Sequence, residues 1–318
     1  MTQSNTQEKI YIGADVSKAT IDFFNDDTGE FHKIQNDKAA LKRFLKTLKN
    51  KAIIVFEATG GYERKLSLML EDYSHLDRLR VHPSCVKAFA RAMGTKAKTD
   101  KIDAFMLANA AKTMKDMFFD TTPPLKVQKL RDYLTHQKHV EAMLHAEKCR
   151  FKMDDLPDFL RKSIKKHMTF LQKNIETVQK EILNLVQGDP ELHSKYKRLQ
   201  EVVGVGPVIA VSLLAFLPEL GTIGRKQVAS LAGLAPNTRQ SGTKIGRAFT
   251  TGGRQLLRKA LYMGALVGMR HNSVLQEFYE RLVKNGRPKM VAIIAVARKL
   301  LIHLNAIEKK ALKNTENA

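Results

Sequence analysis

Residues 52–62 read AIIVFEATGGY. The continuous apolar run at 52–56 reads as a strand covered on both faces. It ends at Glu57, and charge at the end of a buried strand is costly unless it is paired or bound to a cation. Gly60 and Gly61 then let the backbone turn tightly or approach a ligand closely. Two readings stand side by side for Glu57: a solvated residue at the mouth of a loop, or a carboxylate placed for function.

Upstream, Ile10–Val16 (IYIGADV) is a second strand, with Asp15 near its end. Residues 21–25 and 30–35 read as two more strands, turning at 26–29 (DDTG). A helix over 38–49 carries Leu41, Phe44, Leu45 and Leu48 on one face. Downstream come a helix at 62–72, a strand at Leu76–Val81 and a helix at 83–93. Residues 94–104, GTKAKTDKIDA, open another helix. Asp100 and Asp103 are three apart, so both lie on one face of it. Lys96, Lys98 and Lys101 surround them. The bland reading is a helix start, with Thr99 or Asp100 as cap and Asp103 near the positive end of the dipole. The functional reading is a divalent cation held between carboxylates and a phosphate.

The order of three strands, helix, strand, helix, strand, helix, helix matches an α/β ribonuclease-H-like fold with a mixed central sheet. In that fold Asp15 and Glu57 end neighbouring strands, and the Asp100/Asp103 helix packs alongside. Four acids amid basic residues are the donor set of a two-metal phosphodiester site, with metals about 3.5–4 Å apart.

The whole-chain balance points the same way. Lys and Arg number 54 against 32 Asp and Glu, a formal charge of +22 over 318 residues. Self-repulsion on that scale predicts a polyanionic partner, nucleic acid ahead of an acidic membrane surface. Cys85 and Cys149 are far apart and form no C-x-x-C, against a disulfide framework or zinc site and in keeping with a reducing cytoplasm. The N-terminal MTQSNTQEK lacks the apolar core of a signal peptide, and no uninterrupted run of 18 apolar residues occurs. The expectation is a cytoplasmic protein with no membrane span.

Thr121-Thr122-Pro123-Pro124 is a linker signal. Beyond it, Ile164, Met168, Leu171, Ile175, Val178, Ile182 and Leu185 alternate four and three apart, a coiled-coil or helical-hairpin seam that Pro157 separates from a preceding helix. The seam serves either an internal bundle or self-association, and the reading leans to dimerisation. Gly188-Asp189-Pro190 marks a second break. Gly204-Val205-Gly206-Pro207, between two short helices, is a helix-hairpin-helix pattern whose glycines let backbone approach a phosphate. Residues 220–276 contain no Asp or Glu but carry Arg225, Lys226, Arg239, Lys244, Arg247, Arg254 and Arg258 among their cations. One-signed charge over that length predicts a phosphate-backbone surface. Within it Ser241 sits in a polar, basic loop. On the residues alone a loop serine is usually a turn former.

Three motifs carry a resemblance. Gly13-Ala14-Asp15-Val16-Ser17-Lys18, Glu57-Ala58-Thr59-Gly60-Gly61-Tyr62 and Lys98-Thr99-Asp100-Lys101-Ile102-Asp103-Ala104 resemble those of the Piv/MooV family of DEDD-type transposases and pilin-gene invertases. A second region resembles that family too: Ser230-Leu231-Ala232-Gly233-Leu234-Ala235-Pro236, Ser241-Gly242, Gly246, and Gly253 with Leu257-Arg258 and Leu261-Tyr262. The resemblance implies a RuvC-like domain over residues 1–120, whose Asp15, Glu57, Asp100 and Asp103 hold Mg2+ or Mn2+. The breaks at 121–124 and 188–190 bound a helical, coiled-coil arm over 121–190 and a mostly α domain over 191–318, which the resemblance makes DNA-binding. There Ser241 would form a covalent phosphoserine link to DNA, with Ser230 and Ser273 as weaker candidates. It further implies DNA as substrate, a noncoding bridge RNA as guide, a dimer or tetramer, and a bacterial nucleoid setting. Piv-type inversion, a metal-dependent junction nuclease that needs no serine, and a non-catalytic nucleic-acid scaffold are the competing functions.

Overall fold

A computed structural model describes residues 9–58, 60–95, 99–114, 124–237, 240–241, 244–245 and 249–316. The chain divides into two compact units, Met1–Thr122 and Pro123–Ala318.

The first unit is a mixed five-stranded sheet with helices on both faces. Its strands are β1 (Ile10–Val16), β2 (Thr20–Asn25), β3 (Phe31–Gln35), β4 (Ala52–Glu57) and β5 (Leu76–Val81), in the spatial order β3-β2-β1-β4-β5. β1, β2 and β3 pair antiparallel, while β1, β4 and β5 pair parallel. The hairpin at 26–29 closes on the Asp26 carboxylate, which accepts the Tyr11 N–H at 2.7 Å. One sheet face carries Ile12, Ala14, Ile21, Phe23, Ile54 and Phe56, covered by Leu41, Phe44 and Leu45 of α1 (Lys38–Thr47) and Leu66 of α2 (Arg64–Met69). The other face carries Tyr11, Phe24, Val55 and Val81, covered by α3 (Pro83–Ala92) and α4 (Asp100–Thr113). This double coverage explains the unbroken apolar run of β4.

The second unit is mostly helical. α5 (Leu125–Phe151) and α6 (Asp158–Gln187) form an antiparallel hairpin. Its outer half is closed by Val140, Leu144, Leu171 and Ile175. Its inner half, Leu130, Leu134, Val178, Ile182 and Val186, belongs to the core that also holds α7 (Pro190–Gln200), α8 (Pro207–Phe216), α9 (Arg225–Leu231), α10 (Gln255–His271), α11 (Ser273–Lys284) and α12 (Lys289–Glu316). The arm expected over 121–190 is therefore no separate body. Its apolar seam is consumed inside the chain, which removes the seam as an argument for dimerisation. Leu185 is only half-buried, and Val186 takes the inward position.

α12 is 28 residues long and runs to Glu316. By length and composition, the segment Lys289–Asn314, which holds an 18-residue window of mean hydropathy 1.8, could cross a membrane, which the missing 18-residue run did not flag. Here it is a core helix. It buries Val296, Leu300, Leu301 and Leu304, while its buried Glu308 takes a two-pronged ion pair from Arg198 at 2.8 and 3.1 Å.

Candidate active site

The acid cleft follows from strand register. β1 and β4 run side by side, with Ala14 beside Phe56, so Asp15 and Glu57 are the next residues at the same end of two parallel strands. Both lie on the sheet face toward α4. That helix approaches β1 so closely that a Cβ on Gly13 would lie 1.9 Å from the Ala104 carbonyl oxygen. The Thr99 hydroxyl caps α4 by accepting the Ile102 N–H at 3.3 Å. Thr99 is thus the cap, and Asp100 and Asp103 occupy the first turn. Asp15, Glu57 and Asp103 line one cleft of about 230 Å³, whose other wall includes Lys87 and Arg91 of α3.

The charges in this cleft resist one another. Burial, then the neighbouring charges of Asp103, Asp100, Glu57 and Asp22, raise the Asp15 carboxyl from 3.8 to about 6. Asp100 sits at the rim, with its carboxylate 3.3 Å from the Lys33 ammonium. Lys33 also pairs with the buried Asp22 at 3.0 Å. Hydrogen bonds to Asp22 and then Asp100 hold Lys33 above the ordinary lysine value. Among the described residues no three acidic, histidine or cysteine side chains are gathered at ion-binding spacing. The donor set is all oxygen, which suits a hard divalent cation, and a positive ion among these acids would relieve the repulsion that lifts Asp15.

Several residues of this site lay outside the sequence reading. Asp22 stands opposite Asp15, and Lys33 opposite Asp22, along one row of three strands. Lys87 and Arg91, four apart on α3, put cations on the cleft wall. The loop after Glu57 is pinned from below: the buried Glu63 accepts the Gly61 N–H at 2.9 Å and pairs with Arg80 at 3.0 Å. Asn36 ties the β1–β2 turn to that loop, donating to Ser17 O at 2.8 Å and Tyr62 O at 3.2 Å. Of the lysines read as anion binders, Lys101 is exposed and lies over the Phe31 ring, 5.7 Å from its centroid. Lys96 and Lys98 lie outside the described residues.

In the second unit Ser241 ends the short strand β7 (Gln240–Ser241), paired in register with Lys244 of β8 (Lys244–Ile245). What read as a loop also holds a second antiparallel pair, β6 (Pro236–Asn237) with β9 (Phe249–Thr250). Its base is a glycine crossing: a Cβ on Gly253 would lie 2.2 Å from the Gly233 nitrogen. Arg258 donates to the carbonyls of Gly233 and Gly252, both at 3.3 Å. Arg254 grips Glu219 through two bonds of 2.6 Å and donates to Phe216 O at 2.7 Å. Burial alone would raise Glu219, but the Arg254 hydrogen bonds and charge hold it below the ordinary glutamate value. These two arginines, expected on the phosphate surface, are therefore engaged inside the fold. Arg225 and Lys226 are exposed at the start of α9. Arg239 and Arg247 lie outside the described residues. Ser230 lies within α9, and Ser273 opens α11.

The helix-hairpin-helix pattern is α7, a turn and α8. Gly204 has φ +98°, and a Cβ there would meet the backbone of α10 at Gly264, 2.7 Å away. A glycine is required there by the packing against α10. Gly206 has open space where a Cβ would stand.

Comparison with known proteins agrees with both halves. A transposase model of the DEDD IS110 type matches residues 12–153, and one described as the transposase IS116/IS110/IS902 family matches residues 196–280. The pilin gene-inverting proteins of Moraxella lacunata and Moraxella bovis are each 28% identical over 305 residues, covering 92% of this chain and 94% of theirs. An uncharacterized 43.6 kDa protein of insertion element IS110 from Streptomyces coelicolor is 32% identical over 120 residues, 37% of this chain and 29% of that protein. The chain belongs to the IS110- and Piv-type transposases, enzymes of DNA recombination.

Proposed function

We propose that this protein cuts and rejoins DNA strands, using Asp15, Glu57, Asp100 and Asp103 to hold Mg2+ or Mn2+ and Ser241 as nucleophile. The observation that carries the reading is the convergence of Asp15, Glu57 and Asp103 on one cleft with Lys87 and Arg91 on its wall. That cleft offers oxygen donors to a cation and positive charge to a phosphodiester, on a sheet like that of the RuvC-like fold. When bound, a divalent ion stabilises negative charge on the entering and leaving oxygens. The Ser241 Oγ attacks phosphorus, the P–O bond to the departing strand breaks, and that strand's oxygen takes up a proton. The phosphoserine bond keeps the energy needed for rejoining, so a second strand's hydroxyl can reverse the step without an external energy source. The Ser241 Oγ–H proton passes to a base of the acid cleft or to solvent.

Acid cleft and serine hairpin lie in different units of the chain, so the reading requires them to meet at one DNA linkage. The reading takes the protein to act as a dimer or tetramer. The basic second unit holds DNA backbone, with a noncoding guide RNA as its second nucleic acid. The near full-length similarity to pilin gene-inverting proteins favours a second reading of the outcome, site-specific inversion rather than insertion.

The test is expression beside the native flanking DNA, with sequencing of new junctions and of RNA that copurifies. Wild type yields new junctions, while Asp15→Asn and Ser241→Ala yield none. Junctions at normal frequency from Ser241→Ala overturn the serine step. Cleavage retained by that variant without rejoining indicates a metal nuclease instead.

A further inference from the structure

We propose that Lys33 is a positioning residue of the acid cleft: its ammonium is a built-in counter-ion between Asp22 and Asp100, and a divalent cation entering the cleft must compete with it. The inference rests on the reading of the acids as metal ligands. Its own basis is a row of charges set by register. Asp15 of β1 stands opposite Asp22 of β2, which stands opposite Lys33 of β3. Asp22 is 5% exposed, and Lys33 is its ion-pair partner at 3.0 Å. A buried carboxylate with a cation partner fixes where that cation can sit.

From that anchor the ammonium reaches across to Asp100 at the N-terminus of α4, at 3.3 Å. The Asp100 side chain is 62% exposed and belongs to the rim. Lys33 is its ion-pair partner, so the ammonium ties this carboxylate to the sheet. Asp22 and Asp100 both act on Asp15, so one lysine offsets two of the charges that press on it. β3 is an edge strand whose residues are almost all exposed, so Lys33 contributes little to the core. Its place in the molecule is electrostatic. A lysine there keeps the acids compatible with a folded sheet, and it lowers their affinity for any other cation.

The experiment is calorimetric titration of the full-length protein with Mn2+, on wild type, Lys33→Met, Lys33→Arg and Asp15→Asn. Thermal unfolding of each is followed in EDTA and in Mn2+. Removing one positive charge at contact distance from a ligand carboxylate should tighten Mn2+ binding on the order of tenfold. Lys33→Met should also lose more melting temperature than wild type in EDTA and regain it in Mn2+. Lys33→Arg should bind Mn2+ like wild type. Equal or weaker Mn2+ binding by Lys33→Met overturns the proposal, and a purely structural Lys33 would give that result. A different failure, wild type and Asp15→Asn binding Mn2+ alike, would remove the metal-site reading itself and this inference with it.

Discussion

Asp15→Asn should make the protein more stable at neutral pH while ending its activity. In the folded chain the Asp15 carboxyl sits at about 6 instead of 3.8, because it is partly buried and faces Asp103, Asp100, Glu57 and Asp22. At about 1.4 kcal/mol per pH unit, that rise costs the folded state roughly 3 kcal/mol once the group is ionised. The cleft opens to water, which screens the interaction, so ~1–2 kcal/mol is the expected net cost. The sign follows from proton binding. Between about pH 4 and 6 the folded chain holds more protons than the unfolded chain, so stability falls as pH rises through that window and is flat above it. The assay is urea unfolding of the full-length protein in EDTA, followed by circular dichroism, at about pH 4.5 and pH 7. Wild type should lose stability between the two conditions, and Asp15→Asn should lose less by ~1–2 kcal/mol. Mn2+ at pH 7 should restore the wild type and leave the variant where it is. A variant no more stable than wild type at pH 7, or with the same dependence on pH, would refute the account of mutual repulsion. A group kept at such a cost is placed for function rather than folding.

Four further outcomes are expected. Gly13→Ala forces β1 and α4 apart, because the new Cβ meets Ala104 backbone at 1.9 and 2.9 Å. It should cost about 3 kcal/mol in unfolding and weaken Mn2+ binding, whereas Gly206→Ala, with nothing within 4 Å of its Cβ, should change stability by well under that amount. Arg254→Ala leaves the Glu219 carboxylate without its two 2.6 Å bonds and should destabilise the protein by about 3 kcal/mol, read by calorimetry. The exposed Arg225→Ala should keep its melting temperature and lower the salt slope of DNA binding by about 1. Ser241→Ala should bind DNA and Mn2+ as wild type does, yet accumulate no covalent protein–DNA adduct on denaturing gels.

The sheet was legible because each of its strands carries a signal that depends on few neighbours. The run at 52–56 needs cover on two faces, the DDTG turn joins two strands, and Thr99 announces a helix start. Asp15, Glu57 and the Asp100/Asp103 pair could be found because each sits at the end of an element. Asp22 and Lys33 could not, since their meaning lies in register across β1, β2 and β3, which no local pattern reveals. Lys87 and Arg91 were hidden for the same reason: on α3 they look like a solvated face until α4 closes the cleft beside them. Charge misled at Arg254, because the acid that claims it, Glu219, stands just outside the acid-free stretch 220–276. The packing need at Gly204 was hidden too, because the close approach of α10 comes from Gly264, 60 positions further on.

The order Gly13-Ala14-Asp15 is then one device rather than a glycine beside an acid. Residues two apart on a strand share a face, so whatever Gly13 admits lies on the face that carries Asp15. What it admits is the backbone of α4 at Ala104, one residue after Asp103. A side chain of any size at position 13 would lift that helix, and its first turn would carry Asp100 and Asp103 away from the carboxylate they repel. The glycine thus sets the spacing of the acids, and with it the pKa of Asp15 and the position of Asp100 against Lys33.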